Sequence, residues 1–270
     1  MAKKINQTIG FVGCGNMGSA IIKALLAKKV VKPRQVFIFD ANSKKLREVA
    51  KTYGVRKAGN NKEVVRESKI IILAFKPQDL PSIGAEIAKE FKRGQILISL
   101  LAGTPVRKLK RLFSSHVSIV RTMPNLGAKV SEGMTAITGN EKKALNLAEL
   151  IFSSCGAVVR LPEKYFDLIT AVSGSGPAYF FLLMELLQKI GEKAGLSTGI
   201  SRLLAVQTAV GAGVLAQRSG LEPRALREAV TSKKGTTDAA LKYLFRKRFT
   251  KIFTEAVNRA RLRAHELSRG

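Results

Sequence analysis

Two glycine-containing stretches carry residue types and spacings that can do chemistry. The first is Gly13-Cys14-Gly15-Asn16-Met17-Gly18, a GxGxxG spacing between the apolar run Ile9 to Val12 and a helical pattern from Met17 to Lys28. In that setting the first glycine permits a tight turn, the second lets backbone approach a pyrophosphate, and the third lets helix pack on strand. Asn16 and Met17 lie inside the same turn. Asp40 ends the next apolar run, roughly where a carboxylate can bind an adenosine ribose. Asn42, Ser43, Lys44 and Lys45 follow at once and can host a 2′-phosphate, so these residues admit NADH or NADPH as cofactor. Lys76-Pro77 closes the run that starts at Ile70, at the strand end where doubly wound sheets place ligands. Lys76 is either a cofactor contact or a solvated lysine before a turn-setting proline.

The second stretch is Val230 to Leu241, VTSKKGTTDAAL, where Ser232, Gly235, Thr236 and Thr237 stand at an apparent helix start beside Lys233 and Lys234. A helix start exposes backbone N–H groups and favours an anion. A capped turn without a ligand would look similar. Ser173-Gly174-Ser175-Gly176-Pro177 precedes a long apolar helix, with Pro177 suited to the first turn; it is either a helix-entry turn with a serine cap or a ligand contact. Asn125, in Met123-Pro124-Asn125, can serve a cofactor amide or cap a turn.

Positioning these residues requires a sheet in the first half and helices in the second. Short apolar runs at Ile9–Val12, Val36–Phe39, Ile70–Phe75, Ile96–Leu100, Ser118–Thr122, Thr135–Thr138 and Val158–Leu161 alternate with helical patterns such as Met17–Lys28 and Ser43–Tyr53. That alternation argues a mostly parallel, Rossmann-like α/β sheet domain over residues 1–162. Beyond Pro162 the strand signal stops. Glu163–Ala171, Pro177–Ala194, Gly199–Gln217, Pro223–Val230, Thr237–Phe245 and Phe249–Leu267 read as helices, an all-helical domain over 163–270. The small residues of Gln207–Val214 allow close helix packing, and the apolar helix after Pro177 needs more cover than a small domain supplies, which points to a subunit interface.

Composition narrows the function classes. The 47 Lys plus Arg against 19 Asp plus Glu give a net charge of +28, a field that draws in small anions at low salt. The basic clusters Arg107–Arg111 and Arg246–Lys251 interleave with apolar residues as helices with one solvated face do, and lack the signature of a nucleic-acid module, so no specific nucleic-acid partner is expected. Cys14 and Cys155 form no CxxC pair, and His116 and His265 are isolated, so no metal site is expected. Ala178–Leu187 is short and carries Glu185, which argues a buried helix rather than a membrane span. The opening MAKKINQT runs straight into a strand, and the expected location is cytoplasmic.

Six motifs, GFVGCGNMGSAI, LAFKPQ, RTMPN followed by EGMTAI, SGSGPAYFF, LLAVQTAVGAG and VTSKKGTT, stand in the order and spacing of pyrroline-5-carboxylate reductases, and this resemblance spans essentially the whole chain. It implies NAD(P)H-dependent reduction of 1-pyrroline-5-carboxylate to L-proline by hydride transfer to the imine carbon. It also implies a Rossmann domain and a helical domain that forms a homodimer by interlocking helices and often assembles further. By the same resemblance the substrate sits between the nicotinamide and the start of the helix carrying the last motif. Backbone N–H groups of Gly235, Thr236 and Thr237 hold its carboxylate, the Thr237 hydroxyl lies near the ring nitrogen, and Ser175 and Gly176 border the site. The chain departs from the family where Ser-Pro-Gly-Gly becomes Ser232-Lys233-Lys234-Gly235 and Asn-Thr-Pro becomes Asn125-Leu126-Gly127. The first change removes a stiff φ and one glycine from the carboxylate loop. These departures keep two other readings in view: a reductase of another cyclic imine, and a catalytically impaired relative whose basic surface binds nucleic acid or another anionic surface.

Overall fold

The computed structural model describes residues 4–113 and 116–269; the first three residues of the opening MAKKINQT stretch lie outside them. Among the described residues eight strands form one sheet: β1 (Ile9–Val12), β2 (Val36–Phe39), β3 (Arg56–Lys57), β4 (Ile70–Leu73), β5 (Ile96–Ser99), β6 (Ser118–Pro124), β7 (Gly133–Gly139) and β8 (Gly156–Arg160). Their spatial order is β3-β2-β1-β4-β5-β6-β7-β8, and every neighbouring pair is parallel except β6 with β7. The chain order reverses between β1 and β4, so their carboxyl ends open a crevice at the switch point.

Burial on both faces explains why β1, β4 and β5 read as unbroken apolar runs. Successive side chains alternate between two cores: Ile70 and Ile72 pack in one with Ile9, Phe11 and Ile38, while Ile71 and Leu73 pack in the other with Val64 and Leu97. Helices α1 (Asn16–Ala27), α2 (Ser43–Tyr53) and α6 (Lys142–Phe152) contribute to the first core. The second is closed by α3 (Asn61–Glu67), α4 (Leu80–Ile87) and α5 (Val106–Leu112), the last carrying the solvated basic face expected of Arg107–Arg111.

After β8 the expected helix Glu163–Ala171 is a composite. A 3₁₀ turn at Glu163–Tyr165 leads into the short α7 (Phe166–Ile169) and then a π-helical turn at Thr170–Gly174. Arg121, buried on β6, fixes this segment: its guanidinium pairs with Glu163 at 3.0 Å and lies 4.7 Å from the Phe166 ring centre. Glu163 also accepts the Val106 N–H at 2.8 Å, so one carboxylate serves a buried cation and the start of α5.

The chain separates into two compact units. The first holds the sheet, the segment through Gly174 and the residues from Ala260 onward; the second is Ser175–Arg259. In the second unit α8 (Gly176–Lys193) packs against α9 (Thr198–Ser219), and α10 (Pro223–Ala229), α11 (Thr236–Arg246) and the first part of α12 (Phe249–Arg269) complete it. Gly191 lies against Ser201 at the α8–α9 contact, and Tyr179 meets Phe253 edge to face with ring centres 5.6 Å apart. Much of the unit's apolar surface is bare: Phe180, Leu203 and Ile252 are each about 60% exposed (63%, 65% and 59%). The small residues of Gln207–Val214 do not pack closely here, since nothing lies within 4 Å of where a side chain on Gly211 or Gly213 would stand.

Candidate active site

The crevice at the carboxyl ends of β1, β2 and β4 is a cavity of about 540 Å³ whose walls include Gly13, Gly15, Asn16, Asp40, Lys45 and Lys76. Each glycine of the turn has a separate physical reason. Gly13 has φ +89, and a Cβ there would press on the Ala74 carbonyl at 2.8 Å. A Cβ on Gly18 would meet the Gly13 carbonyl at 2.8 Å, so the third glycine lets α1 close on the turn. A Cβ on Gly15 would meet only Ala74 O and Lys45 Nζ, each at 3.9 Å, so the backbone here is uncrowded where it lines the cavity. A cradle with bare backbone at the start of a twelve-residue helix, beside a lysine ammonium, fits a dinucleotide pyrophosphate.

Asp40 is built into the turn as well as facing the cavity. Its Oδ2 accepts the Cys14 N–H at 2.9 Å and its Oδ1 accepts the Asn42 N–H at 2.9 Å, which leaves one lone pair on each oxygen for ribose hydroxyls. Burial first, then the Asp40 charge and hydrogen bond, push the Cys14 thiol up to about 12, with Lys45 opposing, so this cysteine in the turn stays protonated. Asn42 caps α2 by accepting the Lys45 N–H at 3.0 Å, and Ser43 is the exposed first residue of that helix. Met17 packs against the first core, and Lys76 is exposed on the cavity rim before Pro77. The cavity walls do not include Met17, Gly18, Asn42, Ser43, Pro77 or Asn125. They do include Asn61, Asp79 and Ile83, residues of helix entries and faces that no spacing in the sequence marks.

Asn125 braces two turns. Its Oδ1 accepts the N–H groups of Gly127 at 3.2 Å and Met134 at 3.1 Å, while its Nδ2 donates to the Ser173 carbonyl at 3.2 Å and hydroxyl at 3.3 Å. All four hydrogen-bonding capacities of the amide are in use. Gly174, next to Ser173, has Met123 Cε 2.6 Å from where a Cβ would stand, so the π-helical turn lies tightly on β6.

In the second unit, Ser175 precedes α8 and its hydroxyl makes no capping bond, while Gly176 is buried. At the start of α11, Gly235 is the N-cap residue and Thr236, Thr237 and Asp238 form the first turn. Gly235 donates its N–H to the Ser232 carbonyl at 2.9 Å, and a Cβ on Gly235 would collide with the Ser232 hydroxyl. The Gly235 N–H is therefore spent on the loop, and the Thr236 and Thr237 N–H groups lie where an α-helix offers no carbonyl partner within itself. A helix start of this kind favours an anion.

Residues 163–267 match the family model described as pyrroline-5-carboxylate reductase dimerisation, and residues 8–103 match the model described as NADP oxidoreductase coenzyme F420-dependent. The chain is 38% identical to the pyrroline-5-carboxylate reductase of Synechocystis, over 97% of this chain and 98% of that one. It is 34% identical to the Methanosarcina acetivorans protein of the same name, over 98% and 99%. Among solved structures it resembles a Coxiella burnetii pyrroline-5-carboxylate reductase, with TM-score 0.90 and 32% identity over 98% of this chain and 99% of that one. It also resembles a Plasmodium falciparum pyrroline carboxylate reductase with NADP bound, with TM-score 0.88 and 29% identity over 98% and 99%. With this likeness along nearly its whole length, the chain belongs to the pyrroline-5-carboxylate reductase family.

Proposed function

We propose that this protein reduces 1-pyrroline-5-carboxylate to L-proline with NADH or NADPH, the last step of proline synthesis. The observation that carries the reading is the uncrowded Gly15 backbone that lines the cavity together with Asp40 and Lys45. Gly13, Gly15 and the start of α1 hold the pyrophosphate, and the spare lone pairs of Asp40 take ribose hydroxyls. Lys45, with Asn42 and Ser43 at the start of α2, meets a 2′-phosphate where one is present. When bound, the reduced nicotinamide supplies the hydride.

The substrate carboxylate is held by the Thr236 and Thr237 N–H groups, with Gly235 giving the loop its shape rather than a donor. The Thr237 hydroxyl stands for the ring nitrogen, and Ser232, Ser175 and Gly176 line the approach. A protonated imine carbon is electrophilic before the hydride arrives, so orientation and charge carry the rate and no strong general acid is required. Thr237→Ala is expected to lower kcat/KM for the imine by about tenfold or more, the cost of a hydrogen bond to a charged or reacting group. Initial rates with each nicotinamide, with and without the imine, test the reading. Imine-dependent oxidation that falls in Thr237→Ala supports it, and cofactor binding without turnover of this imine overturns it in favour of a ring of another size.

The functional parts divide near residue 162, a division supported by the separate family matches over 8–103 and 163–267. We read the dimerisation match as a homodimer whose helical parts interlock and can assemble further. Within Glu163–Lys193 and Thr198–Ser219, 18-residue stretches with mean hydropathies of 1.3 and 1.4 are long and apolar enough to cross a membrane. Their cover is a second copy of the chain rather than lipid, a reading supported by the bare Gly211 and Gly213 backbone, which admits a close helix, and by the matched dimerisation model. The enzyme then works in the cytoplasm.

A further inference from the structure

Lys234 occupies a backbone conformation that its side chain opposes. Its φ is +62, in the left-handed region, at the loop position where the family motif carries glycine. The loop compensates through Asp238, in the first turn of α11, whose Oδ2 reaches back to accept the Lys234 N–H at 3.0 Å. The same oxygen accepts from Lys242 Nζ at 2.8 Å, one turn further along α11. Lys242 and the Lys234 N–H hold the Asp238 carboxyl below the usual carboxylate range, the Lys242 hydrogen bond being the larger cause. This arrangement places a negative side chain in the helical turn assigned above to the substrate carboxylate. Without Lys242 that charge would repel the incoming anion.

We propose that Asp238 and Lys242 form a positioning pair for the carboxylate loop: Asp238 fixes Lys234 in its left-handed conformation, and Lys242 cancels the Asp238 charge beside the anion site. The inference rests on the reading of α11 given under the proposed function. It accounts for how a lysine stands where a glycine is expected, and it assigns work to two residues outside the six family motifs. The pair acts on substrate affinity through loop shape and local charge, and touches neither the imine carbon nor the cofactor.

Steady-state kinetics of the full-length enzyme with pyrroline-5-carboxylate, checked by thermal melts, test the pair. Asp238→Ala is expected to raise KM for the imine by about fivefold, as a strained backbone released from its tie would, with kcat and the cofactor KM within about twofold. Adding Lys234→Gly to Asp238→Ala should return most of the lost affinity, because glycine needs no tie to hold a positive φ. Lys242→Met alone should also raise KM, and Asp238→Asn combined with Lys242→Met should bring it back to the Asp238→Asn value. A merely structural role would not produce these two rescues. Unchanged KM in Asp238→Ala, a loss confined to kcat, or failure of both rescues overturns the proposal. If Asp238→Ala does not fold, the Lys242→Met and Asp238→Asn pair decides by the same KM comparison. A wild-type enzyme that does not turn over the imine overturns the functional reading and this proposal together, whereas an active wild type with unresponsive variants overturns the proposal alone.

Discussion

Burial keeps the Cys14 thiol protonated, and the consequence can be read in alkali. Its folded-state value is raised to about 12 from an ordinary 9.0, so above pH 9 the unfolded chain releases this proton while the folded chain retains it. The stabilising contribution is complete below pH 9 and declines as pH rises toward 12. Chemical denaturation at pH 8 and pH 10 should therefore show a larger alkaline loss for the wild type than for Cys14→Ala. Residue roles were unevenly legible in the sequence. The tight turn at Gly13 and the close packing at Gly18 follow from spacing, and Asp40 stands in the wall of the cavity beside them. Asn125 shows the limit of such reading: an asparagine after a strand suits a cap or a ligand, and its partners at Gly127, Met134 and Ser173 follow only from the folded chain. The Gly235 N–H is similar, since its use by Ser232 depends on a turn that includes a left-handed lysine.

At the scale of elements, the α8–α9 contact holds an imperfection that can be measured. Ser201 is buried with a hydroxyl that has no hydrogen-bond partner, and it faces the bare backbone of Gly191. Ser201→Ala should stabilise the fold by up to about 1 kcal/mol, since it removes an unsatisfied polar atom and adds a better helix former. Gly191→Val should cost about 2 kcal/mol, because its Cβ would stand 2.7 Å from Ser201 Oγ and 3.1 Å from Ser201 Cβ. Thermal or urea unfolding of both variants checks the pair of signs. Elements with strong periodicity were legible, including α2, found over Ser43–Tyr53 as expected. The two-residue strand β3 was not: Arg56 and Lys57 are exposed edge residues whose pairing with Phe37 and Ile38 no apolar pattern announces. The segment after β8 was expected as one helix and breaks into three turns, where Arg121 pairs with Glu163 and stacks on Phe166.

For the whole molecule, a net charge of +28 should act on capture of substrate and cofactor, both anions. Raising ionic strength from about 0.01 to 0.15 M shortens the screening length from about 30 to 8 Å, so kcat/KM should fall with salt while kcat changes little. A flat response would confine the charge to faces remote from the crevice. The apolar surface of α8 and α9 has a further consequence under the proposed pairing of copies. Stability is then a property of a population of chains rather than of one, and mass action sets it. Melting temperature and specific activity should both fall on dilution. A chain with a damaged α9 face, co-expressed with intact chains, would depress the activity of the partners it captures.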